Sequence, residues 1–236
     1  MIKFEIITIF PNIFDSYLKE SLISRAQKKK FIKVNVHNLR KFANDARGTV
    51  DGRPFGGGLG MVIKIEPVYK AVQFLKSKFK IKNSKLRRIV LFTPRGQKFN
   101  QKLAYQFSKL DQIIFICGRY EGVDQRVAEK IADIEISIGD YDLMGGELPA
   151  MVAIESISRL IPGVLGKEAL LKERIIKSGG FIEYAQSTRP EVFVVATSNK
   201  RQATRKKIKW RVPKVLTSGD HKKIEAWKKA HGKAIE

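Results

Sequence analysis

The sequence predicts an α/β domain built on a mostly parallel sheet, followed by a small helical C-terminal domain. Three observations carry this. Short apolar runs alternate with helical stretches of about 10–15 residues from Lys3 to Ile161, the pattern of parallel strands joined by crossover helices. Three of those runs end in Gly- or Pro-containing loops, 93–97, 118–122 and 139–147, and parallel sheets bind ligands beyond the carboxyl ends of their strands. After Pro162 the alternation stops, glycines 163, 166, 179 and 180 mark a linker, and a basic segment with its own tryptophans follows.

Each element has its own local reason. Lys3 to Phe10 is rich in Ile and Phe, stops at Pro11 and reads as a buried strand. Residues 12–30 carry Ile13, Tyr17, Ile23 and Ala26 at helical spacing and end in three lysines, which suit the negative end of a helix dipole. Ile32 to Leu39 alternates as a second strand, and 45–61 is a polar, Gly-rich loop. A helix over 66–79 has Pro67 in its first turn. A strand over 88–92 ends before Pro94, a helix covers 100–109, and Gln112 to Cys117 is a strand closed by Gly118. A short helix over 122–130, a strand over 134–138 and an apolar helix over 149–161 complete the domain. Lys214 to Lys229 reads as helical after Ser218, with Ile224 and Trp227 on one side. The expected domains are 1–165, a linker over 166–188, and a basic C-terminal domain over 189–236.

Composition narrows the function. With 43% hydrophobic and 29% charged residues the chain is too apolar for disorder throughout. No apolar run nears the roughly 20 residues of a membrane span, and no secretory signal is visible at the N-terminus. A single cysteine, Cys117, excludes an intrachain disulfide, nearly excludes a Cys-based zinc site, and suits a reducing cytoplasm. The formal charge is +23, and it is unevenly spread: +17 over 1–116, −5 over 117–159 and +11 over 160–236. An excess of this size implies a polyanion, with RNA, DNA and an anionic membrane as candidates, or else a bias of the whole proteome. An acidic, Gly-rich middle between two basic regions suits an enzyme that grips a polyanion and does chemistry in a separate pocket. The sharpest run, 199–214, holds eight basic residues and no acid. Such a run is either a solvated surface or a phosphate-binding segment.

Several chemistries are absent. There is no phosphate loop, since Gly166-Lys167 is followed by Glu168, and Gly56-Gly57-Gly58-Leu59-Gly60 is not a dinucleotide fingerprint. His37, His221 and His231 lie far apart and have no metal-ligand spacing, and Cys117 reads as a small buried residue. By contrast, Gly139 to Pro149 combines glycines with Tyr141, Leu143 and Met144: backbone that approaches a flat ligand closely, and side chains that sandwich it. Arg53 and Phe55 pair a cation with a ring, suited to phosphate and to base stacking.

Taken together, Ile9-Phe10-Pro11, DGRPFGGGLGM (51–61), ICGRYEG (116–122), SIGDYDLMGGELPA (137–150), SRLIPGVLG (158–166) and Thr188-Arg189-Pro190-Glu191 resemble, in order and over nearly the whole chain, the bacterial tRNA (guanine-N1)-methyltransferases of the TrmD type. These belong to the SPOUT class. The resemblance implies an α/β fold with a deep trefoil knot, a homodimer with shared sites, and methyl transfer from S-adenosylmethionine to N1 of the guanosine 3′ of the anticodon. It implies donor binding by Gly118, Ile138, Gly139, Asp140, Tyr141, Asp142 and Leu143, with Pro94, Gly145 and Gly146 shaping the pocket. Arg159 matches the catalytic arginine. Arg53, Phe55, Arg189, Lys206 and Lys207 are the expected tRNA contacts, and Mg2+ is a possible further cofactor.

Two departures stand out. Where the family carries its general-base aspartate, this chain has Arg174, beside Glu173. Glu173 as a shifted base, Asp142 or another carboxylate in its place, or an RNA-binding relative with weak or no activity are the readings this leaves open. The second is a set of extra basic residues between Phe193 and Val212, together with a C-terminus that stops soon after His231.

Overall fold

The computed structural model describes residues 1–78, 86–166, 180–182, 184–198 and 205–235. It divides into two units, Met1–Lys177 and Ser178–Glu236.

The first unit is organised by five parallel strands in the order β2-β1-β6-β5-β7. They are β1 (Ile2–Thr8), β2 (Ile32–Asn38), β5 (Arg87–Lys98), β6 (Gln112–Cys117) and β7 (Ile134–Ser137). A separate antiparallel pair, β3 (Asp51–Gly52) with β4 (Val62–Ile63), closes the Gly-rich loop at its base. The central strands are buried on both faces, which is why β6 reads as an unbroken apolar run rather than an alternation. One face packs Phe4, Ile6 and Phe115 against α2 (Ser21–Lys28), α4 (Gln101–Phe107) and α6 (Glu147–Ser158). The other packs Ile7, Ile114 and Ile116 against α3 (Ile65–Lys78) and α5 (Gln125–Lys130). One carboxylate is buried within the sheet: Glu5 on β1 accepts from Asn35 at 2.9 Å and meets the His37 ring at 2.6 Å, both from the neighbouring strand.

The helix expected over 12–30 is broken into a 3-10 turn (Pro11–Phe14), α1 (Asp15–Leu18) and α2, whose first residue, Ser21, has φ +48°. The reason lies in the core. Phe14, Ile23 and Ala26 are all buried, yet at about 100° per residue a continuous helix would point Phe14 and Ile23 some 180° apart. Strand β5 runs past its expected end at Phe92. Both Phe92 and Gln97 pair with Ile136, so Thr93 to Gly96 loop out of the ladder and the strand resumes.

The second unit holds α7 (Lys214–Thr217), α8 (His221–His231) and two antiparallel pairs, β8 (Gly180–Ile182) with β11 (Lys233–Ile235) and β9 (Val192–Ser198) with β10 (Arg205–Arg211). The expected helix is there, started by the Asp220 side chain accepting from the Lys223 amide at 3.1 Å. Trp227 stacks on His231 at 4.0 Å and meets the edge of Tyr184 at 5.7 Å. The β9–β10 ribbon is an addition to the expected helices. Its signal was the Val192-Phe193-Val194-Val195 run, whose β-branched residues favour a pleated strand.

Phe115 is fully buried and lies between Phe4, at 6.0 Å, and Phe92, at 5.2 Å. Phe115→Ala is expected to cost the first unit about 3–5 kcal/mol, seen as a lower urea midpoint.

Candidate functional site

Strands β6, β5 and β7 are neighbours in the sheet, so the loops after their carboxyl ends converge. They enclose a cavity of about 510 Å³, within the range of small-molecule sites. Its walls come from Thr93-Pro94-Arg95 in the β5 excursion, Gly118 to Val123 after β6, and Ile138-Gly139 and Tyr141 to Gly146 after β7.

Glycine is dictated by close approach in this region. A Cβ at Gly146 would lie 2.7 Å from the Cys117 Cα, because the Gly146 amide donates to the Gly118 carbonyl at 3.0 Å and holds the two loops backbone to backbone. A Cβ at Gly96 would lie 2.4 Å from the Ile136 nitrogen, so only glycine lets β5 re-enter the ladder. Tyr120, at φ +62°, holds the left-handed conformation without being glycine, a strained residue of the kind that collects at ligand sites.

Beneath the cavity sits a buried ion pair. Glu147, the first residue of α6, is 1% exposed. One oxygen accepts from the Thr8 hydroxyl at 2.6 Å and the other from Arg119 Nε at 2.9 Å. The Arg119 guanidinium also lies over the Phe10 ring at 4.8 Å. One carboxylate thus joins the end of β1, the loop after β6 and the start of α6, where a negative charge also suits the helix dipole. Cys117 lies at the base of this network. Burial pushes its thiol well above the ordinary range, and the Glu147 charge adds to that.

The expected binding residues fall as follows. Pro94, Gly118, Ile138, Gly139 and Tyr141 line the cavity. So do Asp142, Leu143, Gly145 and Gly146. Asp140 does not line it: this carboxylate is exposed and pairs with Lys98. Arg159 ends α6, its amide donating to the Glu155 carbonyl, and is not among the lining residues. Arg53 and Phe55 stand on the loop closed by β3 and β4, with Phe55 fully exposed. That loop is pinned to the cavity wall: Glu121 donates its amide to Met61, and Ile63 donates its own to Gly122, each at 3.0 Å. Arg189 is exposed in the second unit. Lys206 and Lys207 lie in β10, opposite Thr197 and Ala196. Glu173 and Arg174 lie outside the described residues.

Sequence reasoning passed over the Thr8–Glu147–Arg119 network, because its members are 139 and 28 residues apart. It also passed over Glu121 and Glu135 as cavity carboxylates. Only the position of Glu147 in a Gly-Gly-Glu turn before an apolar helix could have drawn attention to it. The lining can accept a flat heteroaromatic ring against glycine backbone, apolar groups against Ile138 and Leu143, and a cation near Glu121, Glu135 and Asp142.

The model of the family described as "tRNA (Guanine-1)-methyltransferase TrmD" matches residues 2–234. A tRNA (guanine-N(1)-)-methyltransferase of Clostridioides difficile is 43% identical over 96% of this chain and 90% of its own length. The enzyme of that name from Carboxydothermus hydrogenoformans is 43% identical over 96% of this chain and 81% of its own. Among solved structures, that of tRNA (m1G37) methyltransferase from Aquifex aeolicus superposes with a TM-score of 0.74 at 38% identity, covering 98% of this chain and 88% of that one.

Cys117 is expected to resist alkylation by iodoacetamide at pH 8 in the native protein and to react on unfolding in urea, as read by intact mass. Glu147→Gln is expected to destabilise the first unit by about 3–5 kcal/mol by leaving Arg119 without its buried counter-charge, measured by urea unfolding.

Proposed function

The chain belongs to the tRNA (guanine-1)-methyltransferase TrmD family, and we propose that it transfers the methyl group of S-adenosylmethionine to N1 of the guanosine immediately 3′ of a tRNA anticodon, thereby maintaining the reading frame. The observation that carries this reading is the cavity at the ends of β5, β6 and β7, lined by nine of the ten residues expected to bind the donor or shape its pocket. The fold is the α/β fold of the SPOUT class, and the family's trefoil knot belongs to the proposal.

The residues present fit the donor. Gly118, Gly139, Gly145 and Gly146 leave room for a ring against backbone, and Glu121, Glu135 and Asp142 offset a positive charge. When bound, S-adenosylmethionine supplies an electrophilic methyl on a sulfonium. The protein then has two tasks at the guanine. A carboxylate must take the N1 proton, since the protonated nitrogen has no free lone pair to offer. A cation must stabilise the negative charge that spreads onto the guanine oxygen. We assign the first task to Glu173 and the second to Arg159. The side chains of Arg53 and Phe55, raised on their pinned loop, and Arg189, Lys206 and Lys207 of the basic domain over 189–236 are proposed contacts to tRNA. The linker proposed over 166–188 joins the two domains, with Gly180–Ile182 already paired into the second unit as β8. Mg2+ is a possible accessory ion, and the cytoplasm is the proposed compartment.

Arg159 is outside the cavity of its own chain, and a site completed by a second chain accounts for that. Phe10 and Ile13 of the first turn, and Leu148 and Val152 one helical turn apart on α6, leave apolar surface exposed. They are the proposed homodimer contact.

The deciding assay is transfer of labelled methyl to two tRNA transcripts, one with guanosine 3′ of the anticodon and one with adenosine there. Label on the first only is expected, and no label on either, with the donor still bound, refutes the activity. Glu173→Gln is expected to lower kcat by at least about a hundredfold while donor Kd stays within about twofold. Unchanged turnover removes Glu173 from the mechanism.

A further inference from the structure

The ribbon β9–β10 presents two different faces. Residues opposite one another in an antiparallel pair share a face. Phe193 is opposite Trp210 and Val195 opposite Ile208, which makes one face apolar. Val194 is opposite Lys209 and Val192 opposite Arg211, which puts these two cations on the other. The Phe193 and Trp210 rings lie 5.8 Å apart, tilted by 33°, and are 51% and 61% exposed. Ile208 beside them is 42% exposed. An aromatic face left in water on a ribbon whose segment, 199–214, carries eight cations and no anion calls for a partner that is both flat and polyanionic.

We propose that this ribbon is a stacking platform for unpaired nucleotides of RNA, with the Phe193–Trp210 face taking the bases and Lys209 and Arg211, on the reverse face, taking phosphates where the strand passes round the edge of the ribbon. This rests on tRNA being the substrate and adds a base contact to the phosphate contacts proposed above. Charge selects a nucleic acid, and the exposed rings select its unpaired form. Bases in a duplex are stacked on one another and closed to an aromatic side chain, whereas loop nucleotides expose a π-face that any ring can cover. The contact is blind to sequence, because every base has such a face.

The chain has two tryptophans, so Trp227→Phe leaves Trp210 as the sole reporter in the full-length protein. Its emission is expected to be quenched by a single-stranded uridine dodecamer, and several-fold less by an RNA duplex of equal length. Trp210→Leu is expected to raise the Kd for tRNA about tenfold with an unchanged salt slope. A Lys209→Gln, Arg211→Gln double variant is expected to lower that slope by about two. Where Trp210→Leu unsettles the ribbon, Trp210→Phe keeps a ring and is expected to restore affinity. Emission unmoved by single-stranded RNA overturns the proposal. So does quenching by phosphatidylglycerol vesicles but not RNA, or a change of oligomeric state in Trp210→Leu, which would make the face a lipid or protein contact. Methylation of tRNA by the unaltered protein is scored separately. Its failure refutes the proposed function, whereas an active enzyme with unmoved Trp210 emission refutes the platform alone.

Discussion

The cavity depends on one buried carboxylate. Glu147 is held by Thr8 and Arg119, and those three residues sit on the end of β1, the loop after β6 and the start of α6. A parallel sheet leaves its C-terminal loops free of ladder hydrogen bonds, so something else must fix their mutual positions. Here the Glu147–Arg119 ion pair does so together with the Gly146–Gly118 backbone hydrogen bond, and both oxygens of the carboxylate are occupied. Thr8 and Arg119 donate to separate oxygens, and Arg119 spreads its remaining charge over Phe10. Removing Arg119 would leave the buried Glu147 carboxylate without its counter-charge. Burial raises the Cys117 thiol and the Glu147 charge adds to that, which keeps a potential nucleophile at the end of β6 inert.

Close backbone approach is the second constraint, and it explains the glycines one by one. Gly146 lies against Cys117 and Gly118, and Gly96 against Ile136. In each case the neighbour is main chain, which cannot swing aside. Gly56 and Gly57 differ: both have positive φ and nothing near a Cβ. They serve the turn of an exposed loop that raises Phe55 and Leu59 into solvent, not a packed wall. A glycine-rich string thus means tight packing in one loop and conformational freedom in the other, and both lie around one site.

The charge distribution follows the same division of labour. The acidic middle of the chain supplies the cavity carboxylates Glu121, Glu135 and Asp142, while much of the basic excess lies outside it, including the ribbon of the second unit. Fields that draw in a polyanion and a pocket that suits a cation have opposite electrostatic needs, and spacing them along the chain lets both persist.

The central strands were legible from the sequence because β1 and β6 are buried on both faces and are rich in Ile and Phe; β6 was placed to the residue. The loops around the cavity were legible because glycines, a proline and aromatic residues collect there, and nine of the ten expected donor-site residues meet in it. Local pattern could not show the break at Ser21, which the core imposes to bury Phe14 and Ile23 together. Nor could it show the excursion in β5, which exists because both Phe92 and Gln97 reach Ile136. The Glu147 network and the two-faced ribbon were equally hidden. Period and composition act over a few residues and so determine strands, helices and their order. Ion pairs across 139 residues and the pairing of β9 with β10 are settled only when the chain closes on itself, because burial and register are properties of partners, not of single segments.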